Sequence, residues 1–325
     1  MDFALFVIMI ALLFDFTNGF HDAGNSIATI VATGVLTPLQ AVLWAAFFNF
    51  IAFIFFKFAV ASMIATGLIA PEVMSVSLIF SALVSAILWN IITWYLGLPS
   101  SSTHALIGGL AGAAFMAGGF HVLQLSGFAK VLSAIIISPL LGLIVGFGFT
   151  QMVNRLVKGV VGGVNHSWFR NSQLISSALL SLTHGSNDAQ KTMGIIAAVL
   201  YSDAWLGNTF YIPFWVCLSC YAVIALGTLF GGWRIVHTMG KKITHLNSLR
   251  GCCAETAAAS VIFAATDLGI PVSTTHTVTG SIVGVGLSKR LLGVKWSIVY
   301  KILLAWIITV PATAVIAFFI ASVVL

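Results

Sequence analysis

The sequence predicts an all-α polytopic membrane protein made of two inverted-topology repeats, with broken helices and short hairpin-like half-helices at the midplane. Three observations lead to this prediction: a composition with few charges, ten apolar segments, and two polar motifs that each occur twice. Of the 325 residues, 60% are hydrophobic and 7% are charged, whereas a soluble domain carries about 25% charged residues. Such a chain cannot cover a water-facing surface, so a soluble catalytic domain is excluded.

The apolar segments fall into two sets of five. The first set covers residues 1–33, 38–57, 75–97, 99–120 and 128–152, and the second covers 173–201, 211–231, 253–269, 271–288 and 297–325. The basic stretch between them divides the chain into a first inverted repeat at 1–152, a cytoplasmic basic linker at 153–172 and a second inverted repeat at 173–325. The first segment lacks a basic n-region and a small-residue cleavage site, so we expect a membrane helix and not a signal peptide.

Two polar motifs recur in the two halves and carry the argument for a repeat. The stretch from Gly97 to His104 aligns with that from Gly269 to His276 at an offset of 172 residues, and five of the eight aligned residues are identical. The polar stretch around Asp22 aligns with that around Asp188 at an offset of 166 residues. Two motifs repeated in the same order indicate an internal duplication.

The orientation follows from the number of crossings and the positions of the basic residues. Five crossings per repeat are an odd number, so the second repeat must enter from the opposite side of the membrane. Placing both termini outside leaves only Lys57 and Lys130 outside and satisfies the positive-inside rule at eleven other basic residues. These are Arg155, Lys158, Arg170, Arg234, Lys241, Lys242, Arg250, Lys289, Arg290, Lys295 and Lys301. The same clustering explains the net charge of +6, so we expect no nucleic-acid partner.

The first segment is too long and too polar for a simple span. A helix over residues 1–33 would be about 50 Å long, against a hydrocarbon core of about 30 Å. The polar cluster at 15–26 includes Asp22, and an ionised carboxylate at this depth is costly unless it is paired or faces a cavity. We therefore expect an unwound interruption there and at 183–192. Asp15, Asp203 and Asp267 are interpreted as helix-end residues.

The segments after Pro99 and Pro271 predict helix N-termini at membrane depth. Each begins with proline and a run of hydroxyl side chains, which is a helix-start signal. Free backbone N–H groups, hydroxyl donors and the positive end of the helix dipole together form an anion site. The hydroxyl residues of the two blocks are Ser101, Ser102, Thr103, Ser273, Thr274 and Thr275.

A cation site and an anion site in the same place predict cotransport. Asp22, Asp188 and unwound carbonyls offer the hard oxygen ligands that a small cation such as Na⁺ prefers. An anion that carries a proton can also donate a hydrogen bond to a carboxylate, which favours phosphate over sulfate. Lys191 either lies near the anion or is a fixed counter-charge to Asp188.

Several residues have more than one interpretation. Glu255 is either a third cation ligand or a partner of Arg250. His21, His104 and His276 are better explained by structural hydrogen bonding than by a metal or a nucleophilic site, because no triad spacing is present. The four cysteines lie in or beside apolar runs without metal-ligand spacing and are interpreted as buried small side chains.

At these motifs the sequence closely resembles the inorganic phosphate transporter (PiT) family. The doubled family motif corresponds to Gly19–Asn25 and to Gly185–Lys191, and the proline blocks correspond to Pro99–His104 and Pro271–His276. The resemblance covers essentially the whole chain. It implies symport of phosphate with Na⁺ or H⁺ through an inverted-repeat fold, often as a dimer. It also implies substrate and cation roles for Asp22, Asn25, Asp188, the hydroxyl residues and Glu255.

Departures from the family pattern are also present. His21 and Lys191 replace motif asparagines, and Asn49 stands where animal members have a glutamate. These departures bear on the cation stoichiometry that the resemblance implies.

The sequence therefore predicts a sodium-coupled phosphate symporter in the cell membrane, a homodimer, and not an enzyme; no cofactor is expected beyond the coupling ion. The predicted phosphate-binding residues are Asn25, Ser26, Ser101, Ser102, Thr103, Gln190, Lys191, Thr192, Ser273, Thr274 and Thr275. The predicted sodium ligands are Asp22, Asp188, His21, Asn187 and Glu255. The alternatives are a proton-coupled phosphate or metal–phosphate permease, a permease for sulfate or another oxyanion, and an ion channel; an intramembrane hydrolase has no supporting triad.

Overall fold

A computed structural model describes residues 3–55, 57–70, 72–158, 166–207, 209–288 and 293–325. Lys289, Arg290 and part of the predicted linker, residues 159–165, lie outside the described residues. Twelve α-helices cover most of this part of the chain. In the first half they are α1 (Phe3–Ala32), α2 (Pro38–Ile51), α3 (Ala59–Thr66), α4 (Val76–Leu96), α5 (Ser102–Gly118) and α6 (Leu125–Lys158). In the second half they are α7 (His166–Ser202), α8 (Phe214–Phe230), α9 (Trp233–His237), α10 (Ser248–Asp267), α11 (Thr274–Leu287) and α12 (Trp296–Val324).

The helices of the two halves follow the same order. Each half contains a long first helix, a bent pair, a helix of 20 or 21 residues, a short helix and a long last helix. The connection before α6 contacts the end of α3 through a bridge between Ile69 and Leu123, and the connection before α12 contacts the matching end of the bent pair through Thr244 and Val294. The internal repeat is therefore visible in the connections as well as in the helices.

The fold is that of a multi-pass membrane protein. Among the described helices, α1, α4, α6 and α12 are long and apolar enough to span a membrane on their own. The pair α2–α3 bends by 82°, and α8 with α9 and its π-helical continuation to Lys242 bends by 64°, so each pair is a broken span or a re-entrant segment. The other long helices carry the buried polar residues described below. The prediction of an all-α polytopic protein with broken helices is confirmed.

The predicted position of the breaks was wrong. Residues 15–26 and 183–192 remain helical within α1 and α7. Their polar side chains face polar groups of other helices and not lipid, so the backbone has no need to unwind, and its carbonyls stay in the helical ladder. A helix of 30 residues can fit the bilayer by tilting.

The two halves interlock at their short helices. α5 packs on α12, and α11 packs on α6. Glycines allow this contact, because a Cβ atom on Gly108 would lie 3.0 Å from Val310 Cα, and one on Gly280 would lie 2.9 Å from the carbonyl carbon of Pro139. α1 packs likewise on α8, and α7 on α2. Each half therefore covers the central helices of the other.

A polar layer lies between two apolar cores. One core joins the start of α1 with α3, α4, α5, α8 and the end of α7. The other joins the end of α1 with α9, α10, α11 and α12. The buried polar residues of α1 and α7 and the first turns of α5 and α11 lie between these cores. This arrangement brings the four repeated motifs to one place.

Candidate functional site

The site begins with two helix N-termini that the proline blocks create. α5 starts at Ser102 with Ser101 as its N-cap, and α11 starts at Thr274 with Ser273 as its N-cap. Each cap hydroxyl accepts a hydrogen bond from the backbone N–H three residues later, at 3.2 Å in both halves. Both helix starts are buried. The prediction of helix N-termini in the middle of the protein is confirmed.

In the first half, Asp22 faces the start of α5. One carboxylate oxygen lies 2.6 Å from His21 Nδ1, and the other accepts from Ser102 Oγ at 3.1 Å. Ser102 Oγ also lies 2.6 Å from Asn18 Oδ1. The far nitrogen of His21 lies 3.0 Å from Thr93 Oγ1 on α4. These contacts hold the carboxylate of Asp22 against the first turn of α5.

In the second half, Asp188 occupies the matching position beside α11. Its Oδ2 accepts from Thr274 Oγ1 at 3.2 Å, as Asp22 accepts from Ser102. Its Oδ1 lies 2.5 Å from Lys191 Nζ. Lys191 and Asp188 are both at most 1% exposed. The open question about Lys191 is thereby answered in part: it is a counter-charge to Asp188.

Two side chains, Asn25 and Lys191, connect the halves across the site. Asn25 Nδ2 on α1 donates to Thr275 Oγ1 at 3.0 Å and to Thr274 Oγ1 at 3.1 Å. Lys191 Nζ, at the position matching Asn25, donates to Thr103 Oγ1 at 2.5 Å and to the Val272 carbonyl at 3.0 Å. Each long helix therefore binds the short helix of the other half.

Asp22 and Asp188 lie close to each other and to His184, a residue that the sequence analysis did not place in the site. Ligand atoms of Asp22, His184 and Asp188 all lie within 4.8 Å of one another, and all three residues are buried. His184 Nε2 is 3.3 Å from Asp188 Oδ2. A signal was present, because His184 precedes Asp188 by four residues and so shares its helix face. Two buried carboxylates with one adjacent ammonium leave negative charge that a cation can neutralise.

Several predicted site residues have their polar groups engaged elsewhere. Gln190 accepts from the Val60 backbone at 3.1 Å, and Thr192 donates to Asp15 at 2.9 Å. Asn187 donates to Thr266 on α10 at 2.9 Å. These three side chains point away from the cluster around Asp188, because adjacent residues of one helix cannot all face the same neighbour. Ser26 is buried, and its hydroxyl has no hydrogen-bond partner among the described residues.

Glu255 forms a second polar cluster. Its carboxylate accepts from Thr29 at 2.6 Å, from Gln173 at 2.9 Å and from Ser176 at 2.5 Å. Arg250 instead donates to the His245 carbonyl at 3.0 Å, so no ion pair between Glu255 and Arg250 is found among the described contacts. The alternative that pairs these two residues is therefore not supported.

Asp15 was misassigned as a helix-end residue. It lies in the middle of α1, is fully buried and accepts from Thr192. The error arose because the polar stretch was expected to break the helix at this point. Asp203 lies directly after α7, and Asp267 is the last residue of α10, so these two assignments are confirmed.

The fold and the site define a membrane transporter of a small anion. Buried carboxylates lie beside helix N-termini between two halves of a membrane protein, as in secondary transporters with internal repeats. A family model described as "Phosphate transporter family" matches residues 18–163 and again residues 157–317. The chain belongs to this phosphate transporter family, and it is a transporter and not an enzyme.

Known proteins resemble the chain over nearly its whole length. A "Probable low-affinity inorganic phosphate transporter" of Rhizobium meliloti is 55% identical over 96% of this chain and 93% of its own length. One of the same description from Bacillus subtilis is 42% identical over 95% and 93%. A solved structure titled "The sodium-dependent phosphate transporter" superposes with a TM-score of 0.88 at 25% identity and covers 99% of both chains.

The buried pair of Lys191 and Asp188 makes a prediction about stability. Lys191→Met should lower the thermal unfolding temperature in detergent more than the double variant Lys191→Met/Asp188→Asn does. Removing one partner of a buried pair costs about 3–5 kcal/mol, because the other charge is left unpaired. Lys295→Met, at an exposed position, is the control and should change the unfolding temperature little. A double variant no more stable than Lys191→Met would contradict the pairing.

Proposed function

We propose that this transporter carries inorganic phosphate together with Na⁺ by alternating access. The observation that carries the proposal is the position of Asp22 and Asp188 beside two helix N-termini rich in hydroxyl groups. A phosphate between these N-termini would receive hydrogen bonds from backbone N–H groups and from the side chains of the first turns. A cation between the carboxylates would offset the negative charge of both the anion and the site.

The proposed phosphate ligands are residues of the four repeated motifs that lie at the starts of α5 and α11 or on the matching turns of α1 and α7. They are Asn25, Ser26, Ser101, Ser102, Thr103, Lys191, Ser273, Thr274 and Thr275. The proposed cation ligands are Asp22, Asp188 and His21, with His184 added from the geometry. We leave out Gln190, Thr192, Asn187 and Glu255, because their hydrogen bonds go to residues outside the cluster around Asp22 and Asp188.

Lys191 supplies a reason for coupling. Its amine is held by Asp188, by Thr103 and by the Val272 carbonyl. A cation at Asp188 would compete for the carboxylate and free the amine to donate to phosphate. In this mechanism the cation prepares the anion site, and phosphate in turn raises the affinity for the cation, because linkage between two sites is reciprocal.

The links between the halves explain how access could alternate. Asn25 joins α1 to α11, and Lys191 joins α7 to α5. Movement of one half against the other would change these contacts while the four motifs stay around the substrate. The substrate would then face one side of the membrane at a time.

The choice of Na⁺ is tested by the driving gradient. Uptake of labelled phosphate into proteoliposomes should follow an inward Na⁺ gradient and should not follow a pH gradient in the absence of Na⁺. Uptake driven by pH alone would favour the proton-coupled permease, and dependence on a divalent metal would favour transport of a metal–phosphate complex. Equal competition by sulfate would contradict phosphate as the substrate. Currents far above carrier turnover would reveal a channel.

The site is tested by Asp22→Asn and Asp188→Asn in the same assay. Each should lower the uptake rate by at least about ten-fold, because a hydrogen bond to a charged group contributes ~1.5–3 kcal/mol. Asp203→Asn, at an exposed position after α7, is the matched control and should transport normally. Retained uptake in both site variants, with normal expression, would refute the assignment.

We further propose a homodimer in the cell membrane with both termini outside. The backbone N–H of Lys295 donates to the Ile243 carbonyl at 2.9 Å, so Lys295 lies on the same side as Lys241 and Lys242. Basic residues concentrated on one side favour the cytoplasm for that side.

The orientation can be tested with single cysteines in a variant without the four native ones. An impermeant maleimide added to intact cells should label His121→Cys, in the connection before α6. It should label His245→Cys, in the connection before α10, only after the cells are opened. Both positions are exposed. The reverse pattern of labelling would overturn the orientation.

A further inference from the structure

A cavity of about 550 Å³ lies between α6 and α12, on the opposite side of α5 and α11 from Asp22 and Asp188. We call it the α6–α12 groove. Its walls are apolar and include Ile136, Leu140, Leu303 and Ile307, whose side chains are exposed on the outside of the protein. In a membrane these side chains face lipid. The groove therefore opens to the bilayer and not to water.

The floor of the groove is polar. His104 and His276 contact each other edge to face, with ring centroids 4.2 Å apart, and Trp306 stacks on His276 at 3.5 Å. Thr279 also lines the floor. His104 and His276 are 1% exposed, and Thr279 is 2% exposed. The two imidazoles belong to the two repeats, so the floor lies where the repeats meet.

The polar atoms of this floor lack partners. Both ring nitrogens of His104, Nε2 of His276 and the hydroxyl of Thr279 have no hydrogen-bond partner among the described residues. His276 Nδ1 lies 3.4 Å from the Ile135 carbonyl, an arrangement that makes Nδ1 the donor and leaves Nε2 as an acceptor. A buried polar group without a partner costs about 1–3 kcal/mol. Four such atoms at the end of one cavity point to a ligand that supplies the partners.

The lining of the groove limits the ligand. Apart from His104, His276, Thr279 and two tryptophans, every residue that lines it is apolar, and a permanent charge in such surroundings is costly. The polar end of the ligand must therefore be uncharged, and it must both donate and accept. The rest of the ligand must be apolar, and the cavity volume is within the range of about 300–1,000 Å³ found for small-molecule sites.

We propose that the α6–α12 groove binds a single-chain lipid, namely a fatty acid with a protonated carboxyl group, whose head contacts His104, His276 and Thr279. The carboxyl O–H donates to His276 Nε2, and its carbonyl oxygen accepts from the N–H of His104 or from the Thr279 hydroxyl. The chain lies along the apolar walls. The head group of a phospholipid is too polar for these apolar surroundings.

Bound lipid has a consequence for transport, and this part of the inference rests on the proposed function. His104 and His276 are the third residues of α5 and α11, whose first residues contact Asp22 and Asp188. A ligand that ties both imidazoles to α6 and α12 restrains the two helix N-termini. Fatty acid should therefore slow phosphate uptake.

Binding is tested with purified protein in phosphatidylcholine nanodiscs and a fatty acid that carries a photoreactive diazirine on its chain. Labelled peptides should come from α6 and α12, and excess oleic acid should compete. Ile307→Trp, at the mouth of the groove, should reduce labelling at least five-fold. Val315→Trp, at another exposed position of α12 that does not line the groove, should not. Equal labelling of the two variants would overturn the site.

Two further arms test the chemistry of the head group. Thr279→Val keeps the shape of the floor and should weaken competition by oleic acid, as should His104→Leu if that variant folds. Labelling by a photoreactive phosphatidylcholine that oleic acid does not displace would refute a fatty acid as the ligand. Cross-links between two copies through the groove would also refute the proposal. Because labelling needs no transport, its result is independent of the coupling ion.

In proteoliposomes, oleic acid should slow uptake by the unchanged protein several-fold and should not slow uptake by Ile307→Trp. Equal inhibition of both proteins would show that the effect comes from the bilayer and not from the groove.

Discussion

Two carboxylates, Asp22 and Asp188, are buried in the centre of a membrane protein, and their charge must be offset there. Lys191 supplies one positive charge, and the hydroxyl groups at the starts of α5 and α11 supply hydrogen bonds. The buried helix N-termini add the positive ends of two helix dipoles. The rest of the architecture can be understood as the means of holding these groups together without water. The same arrangement leaves negative charge that a cation can neutralise, so the stability of the site and its transport chemistry have one origin.

The interlocking of the two halves makes this arrangement possible. The short helices α5 and α11 each pack on the last helix of the other half. Glycines at the crossings, such as Gly108 and Gly280, let the backbones approach closely. As a result each half contributes a carboxylate helix and a helix N-terminus to one shared site. Movement between halves would then necessarily act on the substrate.

Sequence reasoning was most successful where a feature is local or repeated. The helix starts after Pro99 and Pro271 follow from capping chemistry, and the matched positions of Asp22 and Asp188 follow from the repeat. Sequence reasoning failed where a side chain has several possible hydrogen-bond partners on other helices. The polar stretch of α1 did not unwind, because partners on other helices satisfied it. Thr192 on α7 bonds to Asp15 on α1, and His184 on α7 lies near Asp22 on α1; neither contact can be read from one helix.

The sequence by itself determined that the protein lies in a membrane, that it contains two repeats, and which residue types are available to bind a cation and an anion. These features could be predicted because composition, periodicity and helix capping act over short distances along the chain. Only the tertiary structure decided which of these residues meet. Lys191 and Asn25 reach the short helix of the opposite half, and the bends fall in the second segment of each half. Such choices depend on packing between segments far apart in the chain, where burial of one polar group is compensated by a partner that the local sequence does not specify.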